Sequence, residues 1–220
     1  MLANLYLHYA LDLWFFKVIK PRGRGEACLI RYADDFVCAF EYQQDAEAFY
    51  QELGERLGKF KLELSAEKTR ILEFKRQQSQ TYFEFLGFEF RWGKDRKGRA
   101  HLKRRTSRKR LKKSLERFTE WCKENRNLGV RKLGKQLRAK FQGYYNYYGV
   151  KGNSRRLQEY YDQAMGILKK WLNRRSQKKS YNWQGFKDTV SYLKVPRPRI
   201  TEGAKLPEGA VLLRFELYMV

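Results

Sequence analysis

Asp34 and Asp35 stand side by side between two short apolar runs, Cys28-Leu29-Ile30-Arg31 and Phe36-Val37-Cys38-Ala39-Phe40. Two carboxylates on a tight turn repel each other unless a cation neutralises them. Mg2+ suits the position, because it takes hard oxygen ligands and is held by one or two carboxylates together with substrate phosphates. A pair of such ions activates a 3′-hydroxyl and stabilises the leaving pyrophosphate of an in-line displacement. A solvent-exposed Asp-Asp turn is the plain alternative. The flanking apolar strands and Tyr32 favour the metal.

The second chemical feature is cationic. The chain of 220 residues carries a net charge of +24. Of its 48 Lys and Arg, 30 lie between Arg91 and Ser180, against 6 of its 24 Asp and Glu. The flanks are therefore neutral, with 18 of each sign, and the middle carries the whole excess. A compact cationic segment repels itself, so an anionic partner is implied, and a polyphosphate backbone fits best. A solvated basic surface and an anionic membrane surface are the rivals. The groups Lys103-Arg104-Arg105 and Arg108-Lys109-Arg110 are the candidate phosphate contacts. Tyr144, Tyr145, Tyr147 and Tyr148 offer rings for stacking. Four tyrosines in five helical positions point in several directions; Tyr144 and Tyr148 suit a core, and Tyr145 and Tyr147 an RNA contact.

These features need elements to position them. Ala3 to Phe16 has a helical pattern of Leu5, Leu7, Leu11, Leu13 and Trp14, followed by a loop from Pro21 to Gly25. The two runs flanking Asp34 and Asp35 are short strands with Tyr32-Ala33-Asp34-Asp35 at the turn. Asp45 to Leu57 is an amphipathic helix with Ala46, Phe49, Leu53 and Leu57 on its apolar face. Leu62 and Leu64 alternate with charges and predict a strand. Ser65 to Thr69 turns the chain into a further strand, Arg70 to Phe74. Tyr82 to Trp92 is hairpin-like, with Leu86-Gly87 at its centre.

Near Gly93 the character changes. A basic run leads into three predicted helices whose apolar positions recur in steps of three and four: Leu111, Leu115, Phe118 and Cys122; Leu133, Leu137, Phe141, Tyr144 and Tyr148; Leu157, Tyr161, Ala164, Leu168 and Trp171. An aromatic and basic tail follows from Tyr181, with a short strand predicted between Val211 and Tyr218. The first residues lack the basic start and cleavage site of a signal sequence. No run is long and apolar enough for a membrane span. Cys28, Cys38 and Cys122 form neither a paired framework nor a zinc spacing, which suits a reducing, cytoplasmic setting.

Arg31-Tyr32-Ala33-Asp34-Asp35-Phe36 resembles the Tyr-Ala-Asp-Asp box of group II intron reverse transcriptases, or maturases. Leu2 to Tyr9 is similar to the helix that follows the family's Gln-Gly-Gly motif. Leu62 to Thr69 resembles its next block, Phe85-Leu86-Gly87-Phe88 its primer grip, and Tyr144 to Gly149 the signature of its thumb, or maturase, domain. The order and approximate spacing agree over nearly the whole chain.

The resemblance implies an α+β protein: a partial right-hand polymerase palm (1–92), an all-α three-helix thumb/maturase bundle (93–180) and a C-terminal tail (181–220). It implies catalytic Mg2+ on Asp34 and Asp35. Lys68 would lie near the triphosphate, where it protonates the leaving pyrophosphate or acts as a fixed cation; a plain surface lysine is the alternative. Leu86 and Gly87 would let the backbone approach the primer end. The implied partners are group II intron RNA, an RNA template with a DNA primer, and a dNTP. The implied activity is RNA-directed DNA synthesis serving intron splicing and retrohoming of a mobile element. The family's first palm strand, with a third carboxylate, its Gln-Gly-Gly motif and its fingers are not in this sequence. The chain therefore reads as a truncated enzyme, a reading frame begun at an internal Met, or one part of a split enzyme, expected to polymerise little alone. The rivals are an inactive RNA-binding fragment and an unproductive fragment with an exposed palm core.

Overall fold

The computed structural model describes residues 2–65, 67–76, 80–95, 97–175, 181–203 and 217–219. The chain forms two compact units. One comprises residues 1–86, 90–103 and 209–220; the other comprises residues 87–89 and 104–208.

The first unit is mixed α/β. Helix α1 (Leu2–Leu7) runs through two π-helical turns, His8–Asp12 and Phe15–Ile19, into α2 (Lys20–Arg22). The helical path is thus longer than its sequence pattern, and Pro21 falls inside it, at the start of α2 where its missing N–H is tolerated. The wider turns rotate the buried stripe. Ala10, Leu11, Trp14, Phe15 and Ile19 are buried, whereas Leu5 is exposed. Strands β1 (Ala27–Tyr32) and β2 (Asp35–Phe40) form an antiparallel hairpin with Arg31 opposite Phe36 and Tyr32 opposite Asp35. Helix α3 (Gln43–Gly58) buries Ala46, Phe49, Leu53 and Leu57, the four positions its spacing predicts. Phe40 and Phe49 meet with ring centroids 5.2 Å apart, and Phe15 touches both.

The strand predicted at Leu62 and Leu64 does not form. The N–H of Leu62 donates to Leu57 O at the end of α3, so it is not available to a ladder. Both leucines still pack against the core. Strand β3 (Leu72–Phe74) follows. The sheet has the order β1-β2-β7-β3, with β7 (Leu217–Met219) antiparallel to both neighbours. The tail strand predicted from Val211 is seen only over these residues; 204–216 lie outside the described residues, as does Ala66 of the predicted 65–69 turn.

Strands β4 (Tyr82–Phe85) and β5 (Phe88–Lys94) make the predicted hairpin about Leu86-Gly87, and a third strand, β6 (Ala100–Thr106), extends it. The basic run was expected to lead straight into a helix. It is instead extended, because Asp95 closes a second turn: Asp95 Oδ1 accepts the N–H groups of Lys97 and Arg99 at 2.8 and 2.9 Å. The period of two is masked in sequence, since Lys and Arg stems cover apolar surface that a Val or Ile would otherwise cover.

The second unit is helical: α4 (Arg108–Asn125), α5 (Val130–Tyr148), α6 (Ser154–Leu172) and α7 (Trp183–Tyr192). The seam of α4 is the one predicted; on α5 Leu133, Leu137, Phe141 and Tyr144 are buried as expected, Gly134 and Tyr145 join them, and Tyr148 is only half-buried. On α6 the buried stripe is Leu157, Tyr160, Ala164, Met165, Leu168 and Leu172, and Tyr161 and Trp171 are only half-buried. The tail is not a separate appendage. Phe186, Leu193 and Val195 are buried in the same core as Leu137 and Phe141, so among the described residues α7 packs with α4, α5 and α6.

Candidate functional site

Ala33 and Asp34 are the two turn residues between the paired Tyr32 and Asp35. Ala33 takes the left-handed region, with φ 56, which costs a Cβ-bearing residue roughly 1–2 kcal/mol. Arg31 holds it there. Its Nη1 donates to Ala33 O at 2.8 Å, while Nε and Nη2 donate to the two oxygens of Asp12 at 2.7 Å each. The bidentate pair is well shielded, with side-chain exposures of 13% for Arg31 and 17% for Asp12. Asn4 Oδ1 lies 3.3 Å from the same Nη1, and His8 Nδ1 is 3.3 Å from Asp12. The Arg31 guanidinium holds the Asp12 carboxyl below the usual aspartate range.

Sequence reasoning did not single out Asp12 or Arg31. A signal was present: Asp12 is the only acid in the apolar run from Leu2 to Ile19, and a lone carboxylate there needs a buried partner.

Asp34, Asp35 and Tyr32 are exposed at the hairpin tip. Two adjacent exposed carboxylates are the right donor type for Mg2+. They can hold it through one or both side chains, with phosphate oxygens and water as the other ligands. Among the described residues no group of three or more His, Cys, Asp or Glu side chains is placed to hold a metal. Lys68 is exposed on the turn after α3, where its N–H donates to Ser65 O at 2.9 Å; it belongs to a different element from the Asp pair.

Leu86 and Gly87 form the β4–β5 turn with φ of 50 and 79. A Cβ at Gly87 would lie 3.2 Å from Arg110 Cγ and 3.3 Å from Tyr148 Oη. Glycine therefore serves both the left-handed backbone and the close approach of those two side chains.

The basic candidates divide into two kinds. Arg108, Lys109 and Arg110 are exposed in the first turn of α4. Cations there oppose the helix dipole, and no acid in that turn offsets them. Ser107 caps the helix, accepting from Arg110 N–H at 3.3 Å. On β6, Arg105 donates to Glu89 Oε1 at 3.0 and 2.7 Å, Arg104 pairs with Glu202, and only Lys103 of the three is exposed. Arg104 and Arg105 each hold a carboxylate within the protein and are half-buried, so Lys103 is the most open of the three. The expectation that Tyr145 meets RNA is corrected. It is fully buried, and its hydroxyl donates to Pro196 O at 3.2 Å. A ring without exposed surface cannot stack on a base. Tyr147 is exposed, as expected. In the tail, Trp183 is exposed with Lys169 Nζ 3.6 Å from its ring centroid.

Residues 1–90 match the family model described as reverse transcriptase (RNA-dependent DNA polymerase). A search of curated proteins finds no match. Among the described residues no helix is long and apolar enough to cross a membrane.

Proposed function

We propose that this chain supplies the Tyr-Ala-Asp-Asp hairpin of an RNA-directed DNA polymerase, joined to a basic helical unit that binds RNA of the group II intron type. The observation that carries the polymerase half is the exposed Asp34-Asp35 tip, held by the Asp12–Arg31 pair within the segment that matches a reverse transcriptase. Mg2+ bound there would supply charge neutralisation for a triphosphate. The chain's own residues fix the two carboxylates, keep them solvent-accessible and leave Tyr32 beside them. Lys68 is proposed as a cation toward the triphosphate, and Leu86-Gly87 as backbone facing the primer end. The helical half rests on the net charge of +24 and on the exposed cations of α4.

Templated primer extension tests the polymerase half. With fingers and the first palm strand of a related enzyme added in trans, extension is expected, and Asp34→Asn should abolish it. Extension undiminished by Asp34→Asn would refute the assignment.

A second reading, RNA binding without polymerisation, is favoured by one observation: among the described residues, no third metal-binding side chain accompanies Asp34 and Asp35. RNA binding with no extension under any supplementation would establish it.

A further inference from the structure

Resting on the proposal that the helical unit binds RNA, we propose that Tyr147, backed by Phe88, is a stacking platform for one unpaired nucleobase, with Arg110 and Arg117 taking the adjoining phosphates. Of the four tyrosines near the end of α5, Tyr144 and Tyr145 are buried and Tyr148 is half-buried; Tyr147 alone projects, 53% exposed. Its ring lies nearly parallel to Phe88, at 17° with centroids 5.8 Å apart, and meets the edge of Tyr148 at 4.7 Å and 76°.

The supports are themselves fixed. Phe88 is 8% exposed, and the Arg104 guanidinium lies 5.8 Å from its centroid while paired with Glu202. Tyr148 packs on Tyr144 at 4.7 Å, and Tyr144 stacks on Tyr160 at 3.6 Å and 10°. An aromatic column thus runs from the core to a single exposed ring. A base that lands on it meets a ring already ordered, so little side-chain freedom is lost on binding.

Cations adjoin the ring. Arg110 reaches the Gly87 turn beside Tyr148, and both Arg110 and Arg117 are exposed. Arg117 follows Arg110 by seven residues, two turns along α4, and so lies on the same face of that helix. A π-face with two cations beside it suits a base and its phosphates. It does not suit an acidic peptide, which would have no use for the ring, or an apolar partner, which would have to desolvate the arginines.

The test uses the full chain and a short single-stranded RNA carrying 2-aminopurine, with affinity and fluorescence quenching read together. Tyr147→Ala and Tyr147→Leu are expected to raise Kd about 5- to 150-fold and to relieve quenching, whereas Tyr147→Phe retains both. The salt slope should not change in these variants, while Arg110→Gln with Arg117→Gln should lower it by about 0.7 per lost contact. The same oligomer as DNA should show an equal Tyr147 dependence, because a base presents its π-face in either. Unchanged Kd for Tyr147→Ala, or a Leu variant as good as wild type, would overturn the platform while leaving RNA binding intact. A loss confined to RNA would place the contact on ribose and overturn it too. If the wild-type chain bound no RNA, the RNA-binding reading of the helical unit would fall first.

Discussion

The two units organise their chemistry in opposite ways. In the first, two carboxylates on one turn depend on one strained residue, Ala33, and one ion pair, Asp12–Arg31. In the second, many cations decorate helices whose positions are set by a deep apolar core. A site that must place oxygen ligands around a cation needs a point-like geometry, whereas a surface that follows phosphates needs only density of charge. The comparison predicts that damage to the first unit is sharp and local. Damage to the second should be graded at the surface and severe in the core.

The largest effect belongs to that core. Leu137 is fully buried, and Leu137→Ala should cost about 2–5 kcal/mol in denaturant unfolding. A much smaller loss would mean the helices pack loosely. Phe186, Leu193 and Val195 share this core, so a fragment ending at Arg175 would lack part of it.

Next is the ion pair. Asp12→Asn leaves the shielded Arg31 without its charge partner and should cost about 1–3 kcal/mol. Because Arg31 depresses the folded-state pKa of Asp12, its contribution is present above the ordinary aspartate value of about 4 and is lost as pH falls through the lower folded value. Wild type should lose stability on acidification through that window more steeply than Asp12→Asn. Parallel pH profiles would show that the pair does not stabilise the turn.

The smallest effects separate the basic candidates. Arg108→Gln, Lys109→Gln and Arg110→Gln should each reduce the magnitude of the log–log salt slope of RNA binding by roughly 0.7 to 0.9. Arg104→Gln and Arg105→Gln should change it less and also reduce stability, since each removes one ion pair, with Glu202 and Glu89 respectively. Equal slope changes for all five would erase the distinction.

Much of this was legible in the sequence because it is local. The Asp34-Asp35 turn follows from two apolar runs a few residues apart, and the faces of α3 and α4 follow from helical spacing alone. What escaped depends on distant partners or disguised patterns. Strand β6 is written in Lys and Arg, whose charged ends conceal its alternation. Tyr145 faces the core, where its hydroxyl meets the segment at Pro196, 51 residues away, a partner that no local spacing reveals. The Asp12–Arg31 pair joins a helix to a strand across 19 residues, and no spacing rule relates them.

The central claim is that the β1–β2 tip is a divalent-cation site. Mn2+, a paramagnetic stand-in for Mg2+, tests it on the chain itself by broadening nearby amide signals in NMR spectra. Broadening should centre on Ala33 to Phe36, be reversed by excess Mg2+, and vanish in the Asp34→Asn/Asp35→Asn double variant with the fold unchanged. Broadening absent from that turn, or persisting there in the double variant, would contradict the account.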